Sequence, residues 1–157
     1  HKLTYDALDI AAILKNLLQG FKDRMSSAKV SSSLNLSPGL PTIYANEVYI
    51  TELFSCIIEN AIEAMPDGGK LDITIKVKNN YIVTEVADTG IGIPKGKEGE
   101  IFNPFFTSKM SGAGLGLTKC HMIVSDNKGY IRVNSTPGEG TVFTIGLPLE
   151  RRQPVRL

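Results

Sequence analysis

The sequence predicts an α/β domain in which a sheet is covered by a few helices. Three stretches carry apolar residues at the three-to-four-residue spacing of a helix, and six shorter runs have the composition and alternation of strands. With 157 residues and no internal repeat, the chain has the length of one such domain. We therefore expect a single domain over residues 1–157.

The helices are predicted from their apolar positions and from the residues at their ends. The first covers about 8–25, and the third runs from about Leu115 to Asp126, with Gly129 as its stop. The second runs from Glu47 to Met65 and follows Asn46, a good N-cap residue. It has the clearest apolar stripe, which consists of Ile50, Leu53, Phe54, Ile57, Ala61, Ile62 and Met65.

The remaining regular segments are strands, and the last four of them form two hairpins. Their predicted ranges are 30–36, 42–45, 71–77, 82–87, 131–135 and 141–147. From Gly90 to Ser111 the chain is rich in Gly, Pro and Lys and shows no sustained period. A stretch this long inside a compact domain is typical of a functional lid.

Composition and charge exclude several classes of protein. The chain is 42% hydrophobic and 21% charged, with a net charge of +1, as in ordinary soluble proteins. Charges of both signs are interspersed, so we expect no nucleic-acid partner. No apolar run is long enough to cross a bilayer and no signal peptide opens the chain. Cys56 and Cys120 fit reduced core thiols, so we expect a cytoplasmic location.

Asn60 is the first candidate for a chemical role. It lies one helical turn after Cys56 and borders the apolar stripe, so its amide points to the edge of the core and needs a partner. A side-chain amide oxygen is a hard ligand suited to Mg²⁺, which takes few protein ligands beside water and phosphate oxygens. The ordinary alternative is a hydrogen bond to nearby backbone.

Asp88 ends a strand and enters Thr89-Gly-Ile-Gly92. A carboxylate at the floor of a pocket can accept a hydrogen bond from an exocyclic amine such as that of adenine, and Gly90 and Gly92 let the backbone approach a flat base. An ordinary Asx turn is the simpler alternative. Asp-Thr-Gly also occurs in aspartic proteases, which pair two such loops. Only one is present here, Ile91 replaces the usual Ala or Ser, and a homodimer would be required.

The segment Gly112-Ala-Gly-Leu-Gly116 opens a helix, and its free N–H groups form an anion site. A Rossmann fingerprint would need a strand before it, whereas Lys109-Met-Ser111 precedes it. A Walker A loop is also absent, because Gly69-Lys70 and Gly96-Lys97 lack the required Gly upstream and Ser or Thr downstream. A nucleotide bound here therefore uses neither cradle.

Four segments together resemble, in order, the Asn, first Gly, Phe and second Gly boxes of sensor histidine kinases. They are Glu59-Asn-Ala-Ile-Glu-Ala64, Asp88-Thr-Gly-Ile-Gly92, Phe102-Asn-Pro-Phe-Phe-Thr-Ser-Lys109 and Gly112-Ala-Gly-Leu-Gly-Leu117. The closing segment from Ser135 to Pro148 resembles the terminal hairpin of that family. The resemblance covers essentially Leu8 to Leu149.

This resemblance implies the Bergerat fold, a two-layer sandwich in which a mixed, mostly antiparallel sheet packs on about three helices. Within the domain, residues 1–7 would be a linker remnant, 93–111 an ATP lid anchored by phenylalanines, and 150–157 a tail. The implied partners are a histidine-containing dimerisation domain of the same protein, a response regulator receiver domain and an upstream sensor domain. The domain alone would be monomeric, and the parent protein soluble or membrane-anchored.

The implied ligands are ATP or ADP, and Mg²⁺. Asn60 would hold the metal and act in catalysis, Asp88 would bind adenine N6, and Thr141 would support the base through water. The implied nucleotide-binding residues are Asn60, Ala64, Asp88, Gly90, Gly92, Ile93, Thr107, Ser108, Lys109, Gly112, Gly114, Leu115, Gly116 and Thr141.

Departures from the family pattern affect the phosphate end of this site. Many members have a second Asn where this chain has Cys56, and Lys and Tyr where it has Glu63 and Ala64. Lys109 on the lid is the candidate for the missing catalytic charge near the terminal phosphates, with a solvated lid lysine as the alternative.

The position of Cys56 also bears on the reaction. Related gyrase-like and Hsp90-like ATPases, and anti-sigma serine kinases, typically have Glu there as a general base, and Cys is a poor base at neutral pH. Glu52 and Glu59 lie nearby and keep that alternative open. His121 lies within a helix in a context unlike the acceptor motif and His1 is terminal, so the phosphorylated histidine is expected on another domain.

Overall fold

The structure is a computed structural model that describes residues 4–103 and 114–149. A five-stranded sheet has the order β2-β4-β5-β7-β6, and β1 and β3 form a separate two-stranded sheet. The strands are β1 (Asp6–Leu8), β2 (Val30–Leu36), β3 (Ile43–Ala45), β4 (Gly69–Lys78), β5 (Tyr81–Asp88), β6 (Tyr130–Thr136) and β7 (Gly140–Pro148). The helices are α1 (Ile10–Gly20), α2 (Lys22–Ala28), α3 (Glu47–Glu63) and α4 (Gly114–Asp126).

The large sheet is mixed and mostly antiparallel, as expected. Only β2 and β4 run parallel in it. The other neighbours pair antiparallel: β4 with β5, β5 with β7, and β7 with β6. The β4–β5 hairpin turns at Asn79 and Asn80, both of which have positive φ, 51° and 66°. Asn tolerates this conformation better than other non-Gly residues, which explains how the two strands close through a tight turn.

Helix α3 is fixed at its start by side-chain hydrogen bonds. Asn46 Oδ1 accepts from the Tyr49 N–H at 3.0 Å, and Asn46 Nδ2 donates to the Thr4 carbonyl at 2.8 Å. The cap therefore also ties α3 to the residues before β1. The apolar stripe of α3 packs into a single core with the inner face of the sheet, where Leu71, Ile73, Val86, Phe143 and Ile145 are buried.

The prediction of one helix over 8–25 is wrong. Leu8 belongs to β1, and Asp9 starts α1 as its N-cap by accepting from the Ala12 N–H at 3.1 Å. Helix α1 ends at Gly20, a weak helix former, and Phe21 leaves helical geometry with φ −90° and ψ 0°. The described part of the chain consequently has four α-helices where about three were expected.

The other boundaries are close to the predicted ones. Helix α3 ends at Glu63, two residues early, and β4 begins at Gly69, two residues before the predicted start. Strand β1 includes Asp6 and Ala7, which the sequence assigned to a linker remnant. Within the described residues, no helix has the length and apolar character needed to cross a membrane.

Candidate functional site

A cleft of about 700 Å³ opens between the outward side of α3 and the start of α4. Residues Cys56, Glu59, Asn60 and Glu63 line it from α3, and Gly116 lines it from the first turn of α4. The helical spacing explains this grouping, because positions 56, 59, 60 and 63 share one side of a helix. Asn60 is the most enclosed polar residue of this group, with 9% of its surface exposed.

The oxygen atoms of this wall fit a divalent cation shared with a bound anion. Among the described residues no hydrogen bond involves the Asn60 amide, so the ordinary backbone-bonded alternative is not realised there. Glu63 Oε1 is buried and lacks a hydrogen-bond partner. Within the described ranges, no group of three His, Cys, Asp or Glu residues can hold a metal alone. A Mg²⁺ ion would therefore depend on phosphate and water oxygens.

Charges around this wall are unevenly distributed. Arg24 of α2 pairs with Glu59 at 3.2 Å and with Glu63 at 3.8 Å. Burial raises the pKa of Glu63, the neighbouring Glu59 charge raises it further, and Arg24 opposes both. Lys119 of α4 forms an ion pair with Glu52 on α3. The α3 wall is thus acidic, with its cations at the edges, and a cation in the cleft would relieve the repulsion.

Asp88 lies at the end of β5, in register with Thr141 on β7, and Thr141 is in register with Ser135 on β6. Cross-strand partners lie on the same face of a sheet, so the three side chains form a row. Asp88 is 6% exposed. Its carboxylate accepts from the Gly90 N–H at 2.9 Å and from the backbone N–H of Thr141.

Burial raises the pKa of Asp88, and the hydrogen bonds from Gly90 and Thr141 oppose that rise. The Gly90 contact is an Asx turn, so the simpler alternative for Asp88 is present. It does not exclude the other role, because a carboxylate has about four lone-pair sites. Asp88 is therefore a fixed, buried acceptor that keeps capacity for one more donor.

Gly90 and Gly92 are required by packing against backbone. A Cβ at Gly90 would overlap the carbonyl oxygen of Ala64, and the next residue, Ile91, donates its N–H to that same oxygen at 2.9 Å. Gly92 has φ +74°, and a Cβ there would lie 2.5 Å from the Thr136 carbonyl oxygen. The loop after Asp88 is thereby held between the end of α3 and the β6–β7 turn.

Ser135, which was not among the predicted site residues, fixes residues 93–98 at the start of the predicted lid. Its hydroxyl accepts from the Ile93 N–H at 2.8 Å and donates to the Gly140 carbonyl at 3.0 Å. Since that uses its only proton, the 2.9 Å contact with Thr141 Oγ1 has Thr141 as donor. The Ser135 N–H donates to Glu98 Oε2 at 2.8 Å. The hairpin register, which puts 135 opposite 141, is the signal that could have identified Ser135.

Comparison with known proteins decides the family. The family described as "Histidine kinase-, DNA gyrase B-, and HSP90-like ATPase" matches residues 45–151, which include the α3 wall, Asp88 and the β6–β7 hairpin. The chain belongs to this family. This membership removes the support for the aspartic protease interpretation of Asp88-Thr-Gly90.

Relatives and solved structures place the chain among histidine kinase catalytic and ATP-binding domains. It is 32% identical to sporulation kinase E of Bacillus subtilis over 98% of its own length and 21% of that kinase. The catalytic domain of histidine kinase ThkA, solved nucleotide-free, superposes with a TM-score of 0.84 at 25% identity, covering 93% of this chain and 98% of that one. Full-length ShkA in complex with AMPPNP superposes with a TM-score of 0.85 at 25% identity, covering 99% of this chain and 34% of that one.

The chain thus corresponds to about a fifth of sporulation kinase E and a third of ShkA. These comparisons confirm the α/β sandwich that was expected for a histidine kinase catalytic domain. The finer assignments of individual residues to nucleotide and metal remain predictions.

The structure brings most of the predicted nucleotide-binding residues of this histidine kinase domain to the cleft or to the Asp88 row. Ala64 and Ile93 are buried beside the Asp88 loop, Gly114 and Leu115 begin α4, and Gly116 lines the cleft. The predicted residues Thr107, Ser108, Lys109 and Gly112 lie outside the described residues, as do Phe105 and Phe106 of the predicted lid anchor.

Phe102 is the described part of that anchor. Its ring makes an edge contact with Phe143 in the core, with centroids 6.3 Å apart, and lies 5.6 Å from the ring of His121. Its carbonyl accepts from the Thr118 hydroxyl at 3.0 Å. The chain is therefore fixed to the core immediately before Pro104.

The two thiols of this kinase domain differ in environment. Cys120 is buried in the core, as expected, but Cys56 is half-buried and lines the cleft. The hydrogen bond between them lowers the pKa of Cys56 against the opposing effects of burial and the nearby carboxylates. The same contact and burial raise the pKa of Cys120.

Proposed function

We propose that this domain binds Mg·ATP in the cleft and donates the γ-phosphoryl group to a histidine on a separate dimerisation and phosphotransfer domain. The observation that carries the proposal is the arrangement of Asn60 and Asp88. Asn60 presents to the cleft a side-chain amide that bonds no other described residue, and Asp88 presents a fixed carboxylate at the end of β5. The related ShkA was solved with AMPPNP, an ATP analogue.

At the adenine end, Asp88 accepts a hydrogen bond from the exocyclic amine of the base. Its position is set by the Gly90 and Thr141 N–H groups, so little ordering is required when the base arrives. Thr141 and Ser135 hold the neighbouring turn, and Gly90, Gly92 and Ile93 supply the backbone beside the base. Hydrogen bonding by a charged group contributes about 1.5–3 kcal/mol.

At the phosphate end, Asn60 contributes a metal ligand and the buried Glu63 Oε1 an acceptor for metal-bound water. Asn60 would hold Mg²⁺ there, and the ion would supply charge neutralisation for the phosphate groups. The N–H groups of Gly114, Leu115 and Gly116 bind phosphate at the positive end of α4. Thr107, Ser108, Lys109 and Gly112 lie outside the described residues; we propose from their sequence motifs that they also bind the nucleotide, with Lys109 as the catalytic charge.

Phosphoryl transfer is favoured over hydrolysis because Cys56 occupies the position of the general base. Glu52 is paired with Lys119 and Glu59 with Arg24, and we assign neither carboxylate the role of general base. A histidine acceptor brings its own nucleophilic nitrogen. His121 is exposed on α4 and its ring contacts the ring of Phe102. We assign it no acceptor role.

The whole protein is proposed to be a two-component sensor kinase, soluble or membrane-anchored, with this domain in the cytoplasm. Its other parts would be the dimerisation domain and an upstream sensor domain, and its partner the receiver domain of a response regulator. This assignment rests on relatives that are several times longer than this chain. We propose that residues 1–157 form one monomeric domain with the lid at 93–111 and the tail at 150–157.

The proposal is tested by nucleotide titration with and without Mg²⁺, followed by incubation with an added histidine-containing dimerisation domain. We expect binding that Mg²⁺ strengthens, phosphohistidine on the added domain, and very slow phosphate release without it. Rapid acceptor-free hydrolysis that Asn60→Ala abolishes would favour the ATPase alternative. Failure to bind ATP at all would refute the proposal.

A further inference from the structure

Two helices that form opposite sides of the cleft are joined by the chain's two thiols. Cys56 lies on α3 and Cys120 on α4, and both are free thiols whose titrations influence each other. Cys120 Sγ also approaches the Leu53 carbonyl of α3 at 3.8 Å. The sequence contains no other cysteine, so any oxidation of thiols in this chain involves this pair.

The pair lies next to the groups assigned to phosphate and metal. Cys56 is one helical turn before Asn60, and Gly116 is one helical turn before Cys120. Cys56 and Gly116 both line the cleft. Any displacement of one thiol toward the other is therefore transmitted to both walls of the same cleft.

We propose that Cys56 and Cys120 are an oxidisable pair whose intramolecular disulfide links α3 to α4 and weakens nucleotide binding. The weakening of nucleotide binding rests on the proposed function of the cleft, whereas the formation of the disulfide does not. Cys56 is the accessible partner, since it faces the cleft, and Cys120 is the buried resolving partner. An accessible thiol with a second thiol beside it is typical of redox-sensitive sites.

The oxidant is a peroxide, and the step balances as a two-electron oxidation. The Cys56 sulfur attacks one peroxide oxygen, the O–O bond breaks, and a sulfenic acid and water form. The Cys120 sulfur then attacks the sulfenic sulfur, the S–O bond breaks, and a second water leaves as the S–S bond forms. Two thiols and one hydrogen peroxide thus give one disulfide and two waters.

The link changes the cleft because a disulfide requires about 2.05 Å between sulfur atoms, closer than the sulfur atoms of two free thiols can approach. The two helices must move or turn at this point. The first turn of α4, which carries Gly114 and Gly116, and the α3 turn that carries Asn60 then lose their relative positions. A single S–S bond therefore displaces both the α3 side and the α4 side of the proposed phosphate site.

The disulfide itself is tested by intact mass and thiol labelling of the 157-residue chain. After hydrogen peroxide and then a maleimide, we expect a product two hydrogens lighter with no maleimide attached, reversed by dithiothreitol. Cys120→Ala should instead give a sulfenic acid on Cys56 that dimedone traps. Cys56→Ser should remain unoxidised because Cys120 is buried. Maleimide on both thiols of the treated wild type, or dimers linked through Cys56, would overturn the proposal.

The effect on the cleft is tested by titrating the reduced and oxidised chains with Mg·ADP. Oxidation should weaken binding by about tenfold, a size typical of coupled sites, and dithiothreitol should restore it. Cys56→Ser and Cys120→Ala treated alike should show no reversible loss. A disulfide that leaves affinity unchanged would contradict the coupling. If the reduced chain binds no nucleotide, the proposed function fails, while the mass result still decides whether the pair is oxidisable.

Discussion

Asp88 is a charge held away from water at the end of a strand. Because burial raises its pKa above the ordinary value of 3.8, the folded chain holds the proton to higher pH than the unfolded chain. The free energy of unfolding therefore falls as pH rises from 3.8 through the raised folded pKa. Ionised Asp88 thus costs stability at neutral pH, as a group kept for binding often does.

Replacing Asp88 by Asn removes this titration. We expect the variant to gain stability relative to the wild type as pH rises through the acid range, and to lose about 10–100-fold in ATP affinity, the equivalent of one charged hydrogen bond. Urea unfolding at several acid pH values and a nucleotide titration at pH 7 measure the two effects. A stability difference independent of pH would contradict the raised pKa.

Gly90 should tolerate no side chain. Gly90→Ala places a methyl group onto the Ala64 carbonyl and should lower the free energy of unfolding by about 1–3 kcal/mol. Gly20→Ala is the matched control, because nothing lies within 4 Å of a Cβ at Gly20. That variant should be neutral or slightly more stable, since Ala favours helix. Equal losses in both variants would remove the special role of the Ala64 contact.

The lid begins as a fixed element, since Ile93 is bonded to Ser135, Glu98 to the backbone of β6, and Phe102 to the core. Each contact joins a segment without regular structure to a strand or helix. Their sequence separation explains why they could not be foreseen: residues 98 and 135 meet only after the sheet has formed. Local pattern predicts a lid, whereas tertiary structure determines where its described first part is attached.

Glu98→Ala should release this attachment. Backbone amides around residues 95–102 should exchange hydrogen faster, while global stability changes little because one hydrogen bond contributes about 1 kcal/mol. Glu98→Gln keeps an acceptor oxygen and should behave nearly as wild type. Glu100→Ala, which removes only the exposed ion pair with Lys97, serves as control. Unchanged exchange in Glu98→Ala would show that the contact does not hold the segment.

The helices show a similar division between what pattern reveals and what it misses. Helix α3 was predicted nearly to the residue because its apolar stripe, its cap Asn46 and the Pro66-Asp-Gly-Gly69 stop agree. The break between α1 and α2 was missed because apolar spacing continues across Gly20 and Phe21. The start of α1 was also misplaced, because the cap at Asp9 and the pairing of β1 with β3 determine it.

At the scale of the whole molecule, the fold class and the central site residues follow from ordered motifs, because Asn60, Asp88 and the Gly clusters are each next to a recognisable helix or strand end. These motifs do not reveal the roles of Ser135, Glu98 and Arg24, or the proximity of Cys56 and Cys120. They depend on strand register and on which helix faces meet, and a linear pattern contains neither.

Ligand binding should stabilise the whole domain. At about 100 times Kd, Mg·ATP should add about 2.7 kcal/mol to the free energy of unfolding, which for 157 residues corresponds to a Tm rise of about 5–11 °C. Asn60→Ala should abolish the part of the shift that depends on Mg²⁺ and retain the part caused by nucleotide alone. Calorimetry with and without a chelator separates them, and an unchanged Mg²⁺ dependence would argue against Asn60 as ligand.

The parallel pairing of β2 with β4 has a consequence for the order in which the chain folds. The Ser33 hydroxyl donates to Asp72 at 2.6 Å, 39 positions further along the sequence, whereas the β4–β5 hairpin closes through Asn79 and Asn80 alone. Distant pairings form late because loop closure precedes their stabilisation. During synthesis, the first 36 residues therefore emerge long before their partner strand, and β2 waits for β4 to leave the ribosome before the sheet can be completed.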